Sequence, residues 1–273
     1  MLPPAGQHVL PGFLLDNLIV ERMKKLSIAA AAALLSQAAL ADGSFTAKTG
    51  FDYSTGTYGT NTRTEISSIP LIGNYETGNW SFKVTVPYVR ITGSDSVIAG
   101  VGAVRPTTTT VRTASGMGDV TTAATYSFML DPASQAGVDV TGKIKWGTAD
   151  SAKGLGTGES DYWLMVDPYR KFGNTTWFGG VGYGILGSSS TLQLKNAVSA
   201  NAGLSYKLDA MGSAGAVFDY RSKSTDAGFD QRELTAFYSR KLGGGYKMQA
   251  YATKGFSDGS PDWGAGLNVG YNY

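Results

Sequence analysis

From Phe45 to the last residue, apolar side chains recur at every second position, broken at intervals by clusters of Gly, Asn, Asp and Ser. A period of two belongs to extended chain with one apolar and one polar face, whereas an amphipathic helix repeats near 3.6. Trp80, Phe82, Val84, Val86 and Tyr88 share a face opposite Lys83 and Thr85. Val138, Val140, Ile144 and Trp146 oppose Asp139, Thr141, Lys143 and Lys145. Such segments run over about 45–54, 62–74, 80–91, 118–129, 137–147, 161–171, 176–186, 196–207, 213–222, 231–241, 246–254 and 263–273, an even number of strands. The 37 glycines among 273 residues, about twice the ordinary ~7% share, argue against a helical bundle.

The connections alternate in length. Tight ones at Glu76-Thr77-Gly78-Asn79, Asp131-Pro132, Phe172-Gly173-Asn174, Leu208-Asp209 and Leu242-Gly243-Gly244 separate longer ones, above all residues 92–117 and 147–160. Short turns at one end and long loops at the other, with aromatics near strand ends, is the pattern of a transmembrane barrel. Closure is what allows strands to sit in lipid with every backbone group paired. A secreted soluble β-sandwich would also alternate, but it has no need of aromatics at its strand ends. The last strand, Trp263 to Tyr273, alternates without a break and stops on an aromatic. It resembles the terminal strand of bacterial outer-membrane proteins, and that resemblance implies recognition by the barrel assembly machinery through Tyr273.

Ahead of the strands, Met23-Lys24-Lys25 opens a basic segment, an Ala- and Leu-rich run follows to Leu40, and Ala39-Leu40-Ala41 offers a small-x-small site. This reads as a signal peptide over 23–41, cleaved after Ala41. The run is shorter than the ~20 apolar residues of a spanning helix. Residues 1–22 read as an over-extended start, with Met23 the initiator, and 42–273 as an outer-membrane β-barrel. The fold expected is therefore all-β: a twelve-stranded antiparallel up-and-down transmembrane barrel behind a signal peptide.

Composition narrows the function. Lys and Arg number 23 against 21 Asp and Glu, which leaves no basic footprint for nucleic acid. The chain has no cysteine, and its one histidine, His8, precedes the signal peptide. The exported part thus has neither a Ser-His nor a Cys-His pair and lacks the commonest transition-metal ligands. Catalytic residues, metals and cofactors are not expected. Gly154-Leu155-Gly156-Thr157-Gly158 superficially suits a phosphate, but a strand and not a helix follows it. Gly187-Ser188-Ser189-Ser190 lacks the strand-to-helix elbow of a hydrolase, and the sequon Asn174-Thr175-Thr176 falls in a tight turn. Asp161 and Asp167, six residues apart on one strand, are separated by about 20 Å, too far to share one substrate bond.

With the apolar faces toward lipid, parity and polarity assign to the interior Lys48, Asp52, Arg63, Glu65, Lys83, Asp119, Asp139, Lys143, Lys145, Asp161, Asp167, Asp219, Arg221, Glu233 and Lys247. Lys or Arg facing the acyl chains costs about 2–4 kcal/mol at the midplane, so this segregation is required whatever the function. The near-balanced set suits either a wall braced by ion pairs or a polar path for a small solute. Twelve strands lie between the filled eight-stranded interior and the open channel of sixteen or more, which favours a narrow pore over a general one. Residues 92–117 are unusually apolar, with Val97, Ile98, Ala99, Val101 and Val104. They can fold into the mouth as a constriction or pack on the rim, and the rim is the simpler expectation.

Three segments carry a family resemblance: Gly116-Met117-Gly118-Asp119-Val120, the run Lys153 to Tyr162 (KGLGTGESDY), and Trp177-Phe178-Gly179-Gly180-Val181-Gly182-Tyr183-Gly184. Together they resemble the outer-membrane barrels of the MetA-pathway of phenol degradation family, over most of the chain from about Gly43. The resemblance implies passive transport of small solutes, including hydrophobic or aromatic compounds. It supplies no catalytic residue, and Asp119, Gly156, Gly158 and Asp161 are the matching positions. The competing expectation is a structural or adhesive barrel with a closed lumen.

Overall fold

The computed structural model describes residues 43–104, 110–190 and 192–273. The expected start at Met23 and the signal peptide with its cleavage after Ala41 lie outside these residues. The strands are β1 Ser44–Gly56, β2 Thr64–Thr77, β3 Trp80–Ser94, β4 Val97–Ile98, β5 Gly102–Ala103, β6 Val111–Met117, β7 Thr121–Asp131, β8 Ala136–Lys145, β9 Asp161–Phe172, β10 Thr175–Ile185, β11 Ala197–Lys207, β12 Gly212–Arg221, β13 Gln231–Gly243, β14 Tyr246–Gly255 and β15 Trp263–Asn272. All but β4 and β5 form one antiparallel sheet in which each strand pairs with its sequence neighbour, and β1 pairs with β15 as well as β2. The sheet therefore closes on itself.

β6 and β7 pair successively with β3 and act as one broken wall strand, so the barrel has twelve strands. Tyr88 pairs with Met117 but Thr85 with Thr121, so three steps along β3 face four along its partner. This is a one-residue bulge over Gly118-Asp119-Val120, which re-aims the side chains around it. The fourth wall strand thus continues through Val111–Met117, a stretch that by sequence falls in the expected loop 92–117.

The twelve strands join through short turns at one end (the turn end) and longer segments at the other (the loop end). The outward face is apolar and exposed: Leu71, Leu164 and Val181 are each about 60% exposed. Outward aromatics gather at both margins. At the turn end Trp80, Tyr126 and Phe128 form a chain of ring contacts at 4.9 and 4.6 Å, and Tyr273 meets Phe45 across the β1–β15 seam at 5.8 Å and Tyr271 beside it at 4.7 Å. Tyr53, Tyr88, Trp146, Tyr162, Tyr183 and Trp263 mark the loop end. Two aromatic girdles around an apolar band fit a bilayer, where amphipathic rings sit at the interfaces.

The buried apolar core lies inside the loop end. Val89 and Ile91, on the inward face of β3, pack with Tyr58, Val97, Ala149 and Leu155 from three loops.

Candidate functional site

Cross-strand partners share a face, so the register assigns every side chain to one side of the wall once the exposed apolar face is known. Lys48, Asp52, Lys83, Asp139, Lys143, Lys145, Asp161, Asp167, Asp219, Arg221, Glu233 and Lys247 all fall on the face opposite Phe51, Phe82, Leu164, Phe218 and Leu267. Asp119, in the bulge, is only 9% exposed and meets Lys145. Two of the assigned residues lie elsewhere. Glu65 has the parity of outward Ile69 and Leu71 and pairs with outward Thr55. Arg63 precedes β2 and pairs with Asp262 at 3.2 Å on the outer rim. Both sit at the loop end, where a charge reaches headgroups and not acyl chains, so nothing forces them inward.

Parity also places groups that polarity alone missed. Arg112 and Lys241 point inward, and so do the aromatics Trp163, Tyr169, Phe178, Phe237 and Tyr251. The rule that charges avoid lipid says nothing about apolar groups inside, so only the register finds these. The inward glycines of β10 explain part of the third resemblance segment. A Cβ at Gly184 would lie 2.5 Å from the Trp163 ring, and one at Gly180 would strike the Asp167 carboxylate. The large β9 side chains therefore lie across β10.

The other two resemblance segments meet in one polar knot. Lys145 Nζ reaches Asp161 at 3.0 Å and Asp119 at 3.4 Å, and donates to the Thr157 hydroxyl at 2.9 Å. Asp119 also accepts the Ala149 backbone N–H at 2.9 Å, and Asp161 that of Gly187 at 3.0 Å. All three charged groups are largely buried, and each is paired, as buried charge demands. A Cβ at Gly156 would lie 2.5 Å from Asp119, so this loop approaches the carboxylate only because residue 156 has none. The knot ties the loop between β8 and β9 to the wall.

β4 and β5 form a small hairpin over residues 97–103, with Val97 opposite Ala103 and Ile98 opposite Gly102. It lies inside the mouth and not on the rim. Val97 is fully buried, and its carbonyl and that of Asp95 accept the Arg112 guanidinium at 2.9 and 3.0 Å. At the tip, the Val101 carbonyl accepts Arg221 at 3.1 Å and Gln231 at 3.4 Å. The hairpin leaves the wall between β3 and β6 and is held on β12 and β13, six wall strands further round, so it crosses the lumen. Ile98 and Val104 pack on Leu192 of the loop between β10 and β11. Tyr58, its phenol within 3.0 Å of the Ser54 hydroxyl, is pushed up to about 12 by burial and stays neutral.

Beside the hairpin, toward β13, β14, β1 and β2, remains a cavity of about 330 Å³ lined by Asp52, Ser68, Glu233, Tyr251 and Thr253 against Ile98, Gly100 and Gly102. Asp52 accepts the Tyr251 hydroxyl there. Toward the turn end the interior is polar and accessible: Lys48, Lys83, Lys241, Lys247 and Gln249 face inward yet are exposed. The site is a polar, accessible lumen narrowed at its mouth by a pinned apolar hairpin.

No family model matches the chain, and no curated protein matches it in sequence. Solved structures match in fold. The KdgM porin aligns with a TM-score of 0.51 at 7% identity, covering 83% of this chain and 98% of that one. The NanC porin gives 0.53 at 10%, with 83% and 98% covered. The translocator domain of the autotransporter NalP from Neisseria meningitidis gives 0.53 at 12%, with 93% and 98% covered. The fold is that of the bacterial outer-membrane β-barrels.

Proposed function

We propose that the chain is an outer-membrane channel that passes small solutes passively, aromatic compounds among them. Fold alone does not choose this reading, since porins and an autotransporter translocator share it. The observation that carries it is the contrast inside the barrel. Charged side chains of the turn-end half face the lumen and are exposed, while one hairpin, fixed at both base and tip, narrows the mouth. Lipid drives any charge inward, but a barrel filled shut would bury and pair those charges, whereas Lys48, Lys83, Lys241 and Lys247 stay exposed. The inward Trp163, Phe178, Phe237 and Tyr251 give flat solutes apolar faces to slide on. These features agree with the transport that the MetA-pathway resemblance implies. Export through the signal peptide, insertion with the turn end in the periplasm, and capture of the terminal strand by the assembly machinery complete the reading.

The test is electrical. Purified, refolded barrel in a planar bilayer should give discrete conductance steps. Replacing Arg221 and Gln231 together with Ala should enlarge them, because the hairpin tip then loses both of its wall contacts. Silence from a barrel whose heat-dependent gel shift proves it folded would favour the closed structural alternative.

A further inference from the structure

Most charges inside the barrel have a structural use. Lys145 is held between Asp119 and Asp161, Asp167 accepts from Asn201 at 3.2 Å, and Arg221 holds the hairpin tip. Lys207, at the turn end of β11, has none, and neither do four lysines that lie together. Lys241 and Lys247 are direct cross-strand partners on β13 and β14. Lys247 and Lys48 flank Gly270 in one row, and the Lys48 stem lies so close to Gly270 that a Cβ there would come within 2.8 Å of it. Lys83 continues the arc on β3, and the charges that Lys48 feels are those of Lys83, Lys247 and a single acid, Glu76. No ion pair joins any of the four among the described residues. Like charges directly opposite each other weaken a sheet, so stability alone does not account for this row.

The aspartates of the same half gather elsewhere. Asp139 and Asp167 are direct partners on β8 and β9, across the lumen from β14 and β1. Twelve strands ~4.8 Å apart and tilted by ~40° enclose a cylinder roughly 24 Å across between backbones. After side chains from both walls, the clear width is that of a small molecule. A solute in this half therefore passes a lysine wall on one side and, on the other, the aspartate pair with Lys171 and Lys207 nearer the turns, in a lumen whose low-dielectric walls focus the field.

We propose that the lysine wall is the selectivity element of the channel and that it favours small organic anions, drawn along β13, β14, β1 and β3 and kept from the facing wall by Asp139 and Asp167. This rests on the channel reading above. In the loop-end half Asp119 and Asp161 are neutralised by Lys145 and Glu233 lies near Arg221, while Asp52 is engaged by the Tyr251 hydroxyl, so the unpartnered charge that a solute meets is in the turn-end half.

The experiment is a reversal potential in a planar bilayer under a potassium chloride gradient, with full-length refolded barrel. The wild type should prefer chloride over potassium by a factor on the order of ten. Lys48→Gln with Lys83→Gln and Lys247→Gln should abolish the preference, the corresponding Glu triple should reverse it, and Asp139→Asn with Asp167→Asn should strengthen it. In liposomes, benzoate should enter faster than benzylammonium of the same size, and the Gln triple should erase that difference. Preference for potassium in the wild type, or a potential unmoved by the Gln triple in a barrel that still shows its heat shift, overturns the proposal. Absence of any conductance in the wild type would instead sink the channel reading itself, and this inference with it.

Discussion

Val140 and Thr141 are adjacent on β8, yet the wall separates them. Val140 lies on the face of Trp146, while the Thr141 hydroxyl meets that of Thr125 at 2.8 Å inside. Arginine at 140 should therefore cost about 2–4 kcal/mol against the hydrocarbon, and arginine at 141 far less. The heat-shifted gel fraction after assembly measures the difference, and equal losses would mean the faces are exchanged. Lys145 gives a second residue-scale expectation. Lys145→Met leaves Asp119 and Asp161 buried without their cation, which costs about 3–5 kcal/mol. A guanidinium midpoint that stayed put would show that water reaches this knot. Alternation made most inward charges readable from sequence because lipid penalises every error at the midplane. Glu65 and Arg63 escaped because that penalty fades toward the interface. Arg112 escaped because Val111–Met117 reads as part of the loop 92–117, and the bulge at Gly118-Asp119-Val120 keeps the parity of β7 from extending into it.

At the scale of elements, all twelve wall strands were legible, since each carries its own period. The hairpin of β4 and β5 was not. Its apolar residues suit a rim as well as a mouth, and what decides is a pair of partners more than a hundred residues away, Arg221 and Gln231, which no local pattern announces. The resemblance segments were visible as glycine-rich strings, but their meaning needed the fold: Asp119, Gly156 and Asp161 come together only when the loop between β8 and β9 turns back on the bulge. If the hairpin is the narrowest part of the pore, its base matters as well as its tip. Arg112→Ala removes donors to the Asp95 and Val97 carbonyls. It should give noisier, flickering conductance where the Arg221 and Gln231 pair of changes gives larger, steady steps. Identical traces for the two would show that the hairpin moves as one rigid piece about neither anchor.

The whole molecule depends on one seam. β1 and β15 lie at opposite ends of the described chain, and their pairing converts an open sheet with two unsatisfied edges into a closed wall. Tyr273 reinforces it at the turn end: its backbone N–H donates to the Phe45 carbonyl at 2.9 Å and its ring meets Phe45 and Tyr271. Because the chain has no cysteine, the seam can be tested without background. Thr49 and Val269 are direct partners on the outer face, within the ~4.4–6.8 Å Cα separation that a disulfide accepts. Thr49→Cys with Val269→Cys should oxidise during export and give a band that changes its mobility after heating only when reductant is present. Thr49→Cys with Val138→Cys, which places the second thiol on β8, four wall strands from β1, should remain two free thiols. An open sheet that merely rests on the membrane would hold its two edge strands apart, and both pairs would then stay reduced.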